Sequence, residues 1–186
     1  TYACSPNHTS NASGAVITAS QTLRAATAQT VGLIANRINA VRTAALREEN
    51  GLALTALSLS DDLKKGQIGL SGGNSKKGVG VWVQGRFSDI ESTNASTNFD
   101  GDIYTILMGV DKSFKKGRFL IGLSAGYEEQ DFDTAFNKGT MSGDGYIVAP
   151  YASLNIGKGF SLDATGGYAN LDYDMTRGDP ANGEVF

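Results

Sequence analysis

One cysteine and one histidine, Cys4 and His8, are all the chain offers of the two residue types most used to bind metals and activate nucleophiles. That scarcity excludes a disulfide framework, a cysteine-rich zinc site and any catalytic triad that draws on a second histidine. Both residues sit in a polar N-terminal stretch, where they read as an ordinary thiol and imidazole. No stretch approaches the roughly 20 uninterrupted apolar residues of a transmembrane helix, so a helical membrane protein is excluded too. The 16 basic and 19 acidic residues are interspersed, leaving no basic stripe for nucleic acid. Asp100, Asp102, Asp131 and Asp133 follow no EF-hand pattern. Nucleotide-binding glycine motifs, paired catalytic carboxylates and a nucleophile elbow are missing as well. The reading is therefore of a chain that is not an enzyme, with no cofactor and no metal. The first residues, "TYACSPNHTS", lack a basic and then apolar leader, which reads as a mature chain or a fragment.

Glycine, by contrast, is plentiful: 24 residues against 3 prolines, many of them inside strand-like runs. Residues 1–17 carry Ser, Thr, Asn and Ala without periodicity and read as a polar tether. Residues 18–60 read as an amphipathic helix. Leu23, Val31, Ile34, Ile38, Val41 and Ala45 recur at helical spacings, Thr18 or Ser20 is available as a cap, and Asn50-Gly51 is a stop signal that "GLALTALSLS" can override. About 30 helical residues span about 45 Å, comparable to a bilayer with its headgroups. Yet Arg24, Arg37, Arg42 and Arg47 interrupt the pattern, and an arginine at the bilayer centre costs at least ~2.5 kcal/mol. The helix needs a polar surround. Residues 61–77 are polar and Gly-rich and read as a linker between helix and sheet.

From Gly78 the period becomes two, giving five strands near residues 79–88, 103–114, 118–128, 145–156 and 160–171 within a segment 78–186. Val79, Val81 and Val83 share a face opposite Gly80, Trp82 and Gln84, and the later strands repeat the scheme. Strands of 10 to 12 residues exceed the usual ~5 to 6 of soluble domains and match the ~9 to 11 of a tilted bilayer crossing. Aromatic residues cluster near both ends of the apolar faces, and the opposite faces are rich in Gly, Ser and Thr, which suits a hydrated lumen. Short turns at "KKG" and "GKG" alternate with long connections, "DIESTNASTNFDGD" and "EQDFDTAFNKGTMSGD". Pro150 marks a point where the fourth strand loses a ladder hydrogen bond. The expected fold is thus a transmembrane antiparallel β-barrel, present in part, behind a pore-spanning helix.

In their order, "GVWVQGRFSD", "YTILMGVDKSF", "GRFLIGLSAGYEEQDFD" and "GFSLDATGGYANLDYD" resemble the autotransporter β-domain. The resemblance, with the preceding helix, covers residues 20–177. It implies a bacterial outer-membrane translocator that exports or displays an N-terminal passenger at the cell surface, with outer-membrane lipid and the barrel-assembly machinery as partners. The helix would thread the lumen, and Arg24, Arg37, Arg42 and Arg47 would meet Asp111, Glu128 and Asp163 there. Such barrels close with about a dozen strands, so five leave the remainder to truncation, to self-association of several copies, or to a partner covering the edge. A C-terminal phenylalanine, Phe186, is shared with the family, but "RGDPANGEVF" is no alternating strand and reads as a cut.

Two motifs remain. Asn36 and Asn39 are not adjacent, so self-cleavage at paired asparagines is not expected. Arg177-Gly178-Asp179 is a cell-adhesion tripeptide of low information content. The alternative to export is a soluble β-rich adhesin or carbohydrate-binding module, in which the apolar strand faces would form a dry core; a plugged pore is a third.

Overall fold

The computed structural model describes residues 7–49, 67–74, 78–93, 98–115, 117–134, 138–157 and 159–176, with the helix side chains described from Ala19 to Ala45 and those of the first strand left out. Helix α1 runs Asn7–Glu49, followed by strands β1 Gln67–Asn74, β2 Val79–Ser92, β3 Phe99–Phe114, β4 Phe119–Thr134, β5 Gly139–Gly157, β6 Phe160–Thr165 and β7 Tyr168–Met175. Residues 50–66, the side chain of Arg47 and the tripeptide Arg177-Gly178-Asp179 lie outside the described residues. The helix begins ahead of the expected boundary, within the stretch read as a tether.

The strands form one antiparallel meander in the order β1-β2-β3-β4-β5-β6, with β7 also on β5. β6 and β7 are two halves of one strand position. Tyr151 faces Thr165 and Val148 faces Tyr168, so the register is continuous across Gly166 and Gly167. The interruption falls opposite Pro150. Gly166 donates its N–H to the Pro150 carbonyl at 3.2 Å, and the reciprocal bond is missing because proline has no N–H. β1 is an addition to the five expected strands: it occupies part of the segment read as linker and pairs Gln67 with Arg86 through Asn74 with Val79. With only Ile68 and Leu70 alternating among glycines, it gives little period to detect.

The long connections are also corrected. β2 and β3 stay paired from Val79–Lys112 out to Ser92–Phe99, and β4 and β5 from Phe119–Leu154 out to Thr134–Gly139. Most of the residues expected in long loops therefore continue the ladder beyond the apolar band. Polar alternation such as "EEQDFDT" satisfies backbone hydrogen bonds as well as apolar alternation does, but carries no hydrophobic signal. At the opposite end, Lys115, Gly117 and Gly159 adopt positive φ in the turns of "KKG" and "GKG".

Among the described residues nothing covers the apolar strand faces. Val81, Met108, Val110, Leu123, Val148 and Ile156 are all exposed, as are the rings of Phe87, Tyr104, Tyr146 and Phe160. Among the described residues these faces do not pack on one another into a core. The helix lies on the other face, where the hydrated surface expected from small and polar residues is partly replaced by two apolar clusters. Leu33, Ile34 and Ile38 pack with Trp82, Leu107, Leu120, Ile147, Ala149 and Tyr151. Nearer the helix N-terminus, Ala26 packs with Phe99, Ile103, Phe132 and Met141. Full burial of one large apolar side chain contributes about 1.5–3 kcal/mol, so these clusters hold the helix firmly. Side chains of α1 reach β2, β3, β5 and β6. Four strand spacings are about 19 Å when flat, wider than a helix of about 10–12 Å with its side chains, so the sheet curls around α1.

The buried stripe of α1 is Thr22, Ala26, Gln29, Thr30, Leu33, Ile34, Arg37 and Ile38, with Val41 partly buried beside it. Leu23 and Val31, expected on this face, are exposed on the other. A period sought in apolar residues alone misplaces a stripe whose partner surface is half polar.

Candidate functional site

Two neighbouring rungs of the sheet build the main attachment of the helix. In the first, Gly80, Asp111, Gly122 and Tyr151 lie side by side across β2 to β5; in the second stand Trp82, Gly109, Ser124 and Ala149. Arg37 reaches the first rung with both ends of its fork, Nε to Asp111 Oδ2 at 2.6 Å and Nη2 to Oδ1 at 2.9 Å. This bidentate geometry is one a guanidinium makes and an ammonium does not. The Tyr151 hydroxyl donates to Asp111 Oδ2 at 2.9 Å and accepts from Trp82 Nε1 at 2.8 Å. Arg37 and Asp111 are 6% and 5% exposed, so the charges depend on each other for compensation.

The glycines in these rungs are space. A Cβ at Gly80 would collide with Arg37 Nη2 and with Asp111 Oδ1; one at Gly109 would strike the Trp82 indole, and one at Gly122 the Tyr151 ring. Gly80→Val is therefore expected to displace the guanidinium and weaken the helix seat. The check is limited proteolysis of the full-length protein in detergent, with the helix becoming cleavable while the sheet remains heat-modifiable on gels.

Arg42 makes the second attachment. Its Nη2 lies 2.8 Å from Asp163 Oδ1 and 3.2 Å from Ser153 Oγ, while Nη1 donates to Asn39 Oδ1 at 3.1 Å. With side chains 24% and 41% exposed, this pair belongs with surface ion pairs worth about 0–1 kcal/mol. Glu128 meets no arginine among the described residues. It is buried and accepts from Gln130 Nε2 at 2.6 Å and Thr105 Oγ1 at 3.1 Å. Thr105 in turn accepts from Gln29 Nε2 at 2.9 Å, which also donates to the Arg86 carbonyl at 3.0 Å. Arg24 lies on the exposed side of the helix.

Sequence reasoning passed over Gln29, Trp82, Tyr151 and the three glycines as parts of the attachment. A signal was present: Gly80, Gly109 and Gly122 fall on the same alternating face as the large residues Trp82, Asp111 and Tyr151. Among the described residues no three His, Cys, Asp or Glu side chains come together to hold a metal, and no helix is long and apolar enough to cross a membrane, which says nothing of strands. The arrangement seats the helix against the sheet.

The family model of the autotransporter β-domain matches residues 81–184, more than half of the chain. The chain belongs to the autotransporter β-domain family. It is also 22% identical over 121 residues to protein YaiT of Escherichia coli (strain K12), a match covering 62% of this chain and 12% of that protein. The chain thus spans a small part of the length of that relative. The family is one of outer-membrane translocators and anchors, which fixes the surroundings of the sheet. Its uncovered apolar face is the one whose character suits lipid. Along β3 the band runs from Phe114 to Tyr104, about 34 Å of strand at ~3.4 Å per residue; a tilt of about 45° makes it about 24 Å tall, close to the ~25 Å of an outer-membrane barrel. Phe114, Phe119 and Phe160 mark one edge and Phe87, Tyr104 and Tyr146 the other. Lys112 stands inside the band, its Nζ 5.2 Å from the centre of the Phe114 ring, in the manner of a long cation reaching toward the headgroups.

Beyond the Tyr edge the outward face of the β-domain turns acidic. Asp89 is paired with Asp102, Asp102 with Asp131, and Asp100 with both Glu91 and Asp133. Like charges directly opposite one another destabilise a sheet. Asp102→Asn is therefore expected to raise the unfolding midpoint at low ionic strength, with the gain vanishing near 1 M salt, where screening acts within about 3 Å. Urea titrations at two salt concentrations check this.

Proposed function

We propose that this β-domain anchors a larger polypeptide in the bacterial outer membrane and delivers an N-terminal passenger to the cell surface, with α1 left in the lumen as both tether and plug. The direction of the helix carries the reading. Ala26 packs at the acidic, extended end of the sheet, and a Cβ at Gly117 would meet Ala45 at the short-turn end. Short turns belong to the periplasmic side of such barrels, so the chain preceding the helix emerges outside. Arg37 on Asp111 and Arg42 on Asp163 seat the helix at one depth. Among the described residues the outer edges of β1 and of β6 with β7 have no pairing strand, and we assign the strands that complete them to the same polypeptide, because an unpaired edge is not tolerated in lipid. Folding and insertion fall to the barrel-assembly machinery. No catalytic step is needed.

The test places an epitope ahead of Asn7 in the full-length protein and asks whether antibody binds it on intact cells. Binding is expected, and protease added outside should remove the epitope while leaving the sheet protected. An epitope that is folded, membrane-bound and reached only after permeabilisation would overturn the assignment.

A further inference from the structure

The lipid-facing surface is not evenly clad. Across the rung Lys112, Ile121, Ala152 and Ala164, and the next one, Val110, Leu123, Pro150 and Gly166, side chains shrink from β3 and β4 toward β5 and β6. Leu154 and Leu162 stand on the turn side of this depression, Val148 and Tyr168 on the other, all exposed. The result is an apolar groove with Pro150, Ala152, Ala164 and Gly166 as its floor, Ile121 and Leu123 as its wall, and Lys112 at its rim. The small floor is tied to the backbone: it coincides with the site where Pro150 interrupts the ladder to Gly166.

We propose that this groove is a specific site for one phospholipid with a net-negative headgroup, its acyl chain lying on the small-residue floor and its phosphate paired with Lys112. Three features select this occupant. The groove opens within the apolar band, where acyl chains are the surrounding medium. Its lining is apolar except near one end, so a ligand must be greasy with one anionic terminus. And Lys112 stands on the turn side of the groove with its ammonium directed to the Phe114 ring, at the girdle where headgroups lie, so head and tail fall in the order a lipid of that leaflet presents. The inference rests on the outward orientation of the apolar face and not on export of a passenger.

The experiment is native mass spectrometry of the full-length protein extracted in mild detergent, with dioleoyl phosphatidylglycerol or dioleoyl phosphatidylcholine added at equal concentration. One retained phosphatidylglycerol per protein is expected, bound in preference to phosphatidylcholine. Lys112→Met should lower phosphatidylglycerol binding about fivefold, the effect of about one basic residue at an anionic surface, and abolish the preference. Ala152→Leu with Ala164→Leu fills the floor and should abolish retention of both lipids, while a heat-modifiable band confirms folding. Wild-type protein that retains neither lipid, or a folded Lys112→Met variant that keeps the preference, overturns the proposal. So does a folded leucine variant that still retains lipid. The antibody assay on intact cells is indifferent to all of these outcomes.

Discussion

Replacing Asp111 by alanine is expected to cost about 3–5 kcal/mol, the penalty for leaving a buried charge without its partner. The Arg37 guanidinium would keep its position under Gly80 with nothing to accept its two bonds, and the Tyr151 hydroxyl would lose its acceptor as well. Because the pair joins helix to sheet, the loss should appear as release of the helix before the sheet unfolds. In planar bilayers the full-length Asp111→Ala protein is expected to show larger and more frequent conductance than the parent. The double variant Arg37→Met with Asp111→Met should recover much of the stability, since an apolar pair leaves no charge stranded. Asp163→Ala is the contrasting case. Its partner Arg42 is part-exposed, and about 0–1 kcal/mol is at stake.

The second large effect lies on the opposite face. Val110 stands near the middle of the apolar band, 53% exposed, between the Phe114 and Tyr104 edges. Val110→Arg is expected to cost about 2–4 kcal/mol, the value for a cation near the bilayer midplane. Urea unfolding of the full-length protein in lipid vesicles measures it. Asp102→Arg, on the same strand and face but beyond the Tyr edge, should be nearly neutral or stabilising, because it relieves acidic neighbours. A similar cost at both positions would mean that the band does not mark lipid.

These residues also show how far the chain is readable before it is folded. The outward face was legible because lipid demands uninterrupted apolar alternation, and "VGVWV" or "YTILMGV" displays it. The inward face was not. Its requirement is complementarity to a helix, met at one rung by Trp82 over Gly109 and at another by Arg37 under Gly80, and such pairings have no period. Leu107, between Ile106 and Met108, belongs to an apolar run rather than an alternation, which marks a strand buried on one face and greasy on the other. The same limit explains the helix: its buried stripe alternates Gln29, Thr30 and Arg37 with Leu33, Ile34 and Ile38, so an apolar count selected Leu23 and Val31 wrongly. Strand ends were underestimated because acidic alternation keeps backbone pairing without any hydrophobic mark.

Everything proposed for this β-domain depends on which side of the sheet meets hydrocarbon. Site-directed spin labels on single cysteines at Met108, Val110, Leu123 and Val148, in full-length protein reconstituted into bilayers, test that directly. Frequent collisions with oxygen and almost none with a water-soluble nickel chelate are expected at all four positions, whereas ready access of the nickel chelate to any two neighbouring ones would contradict it.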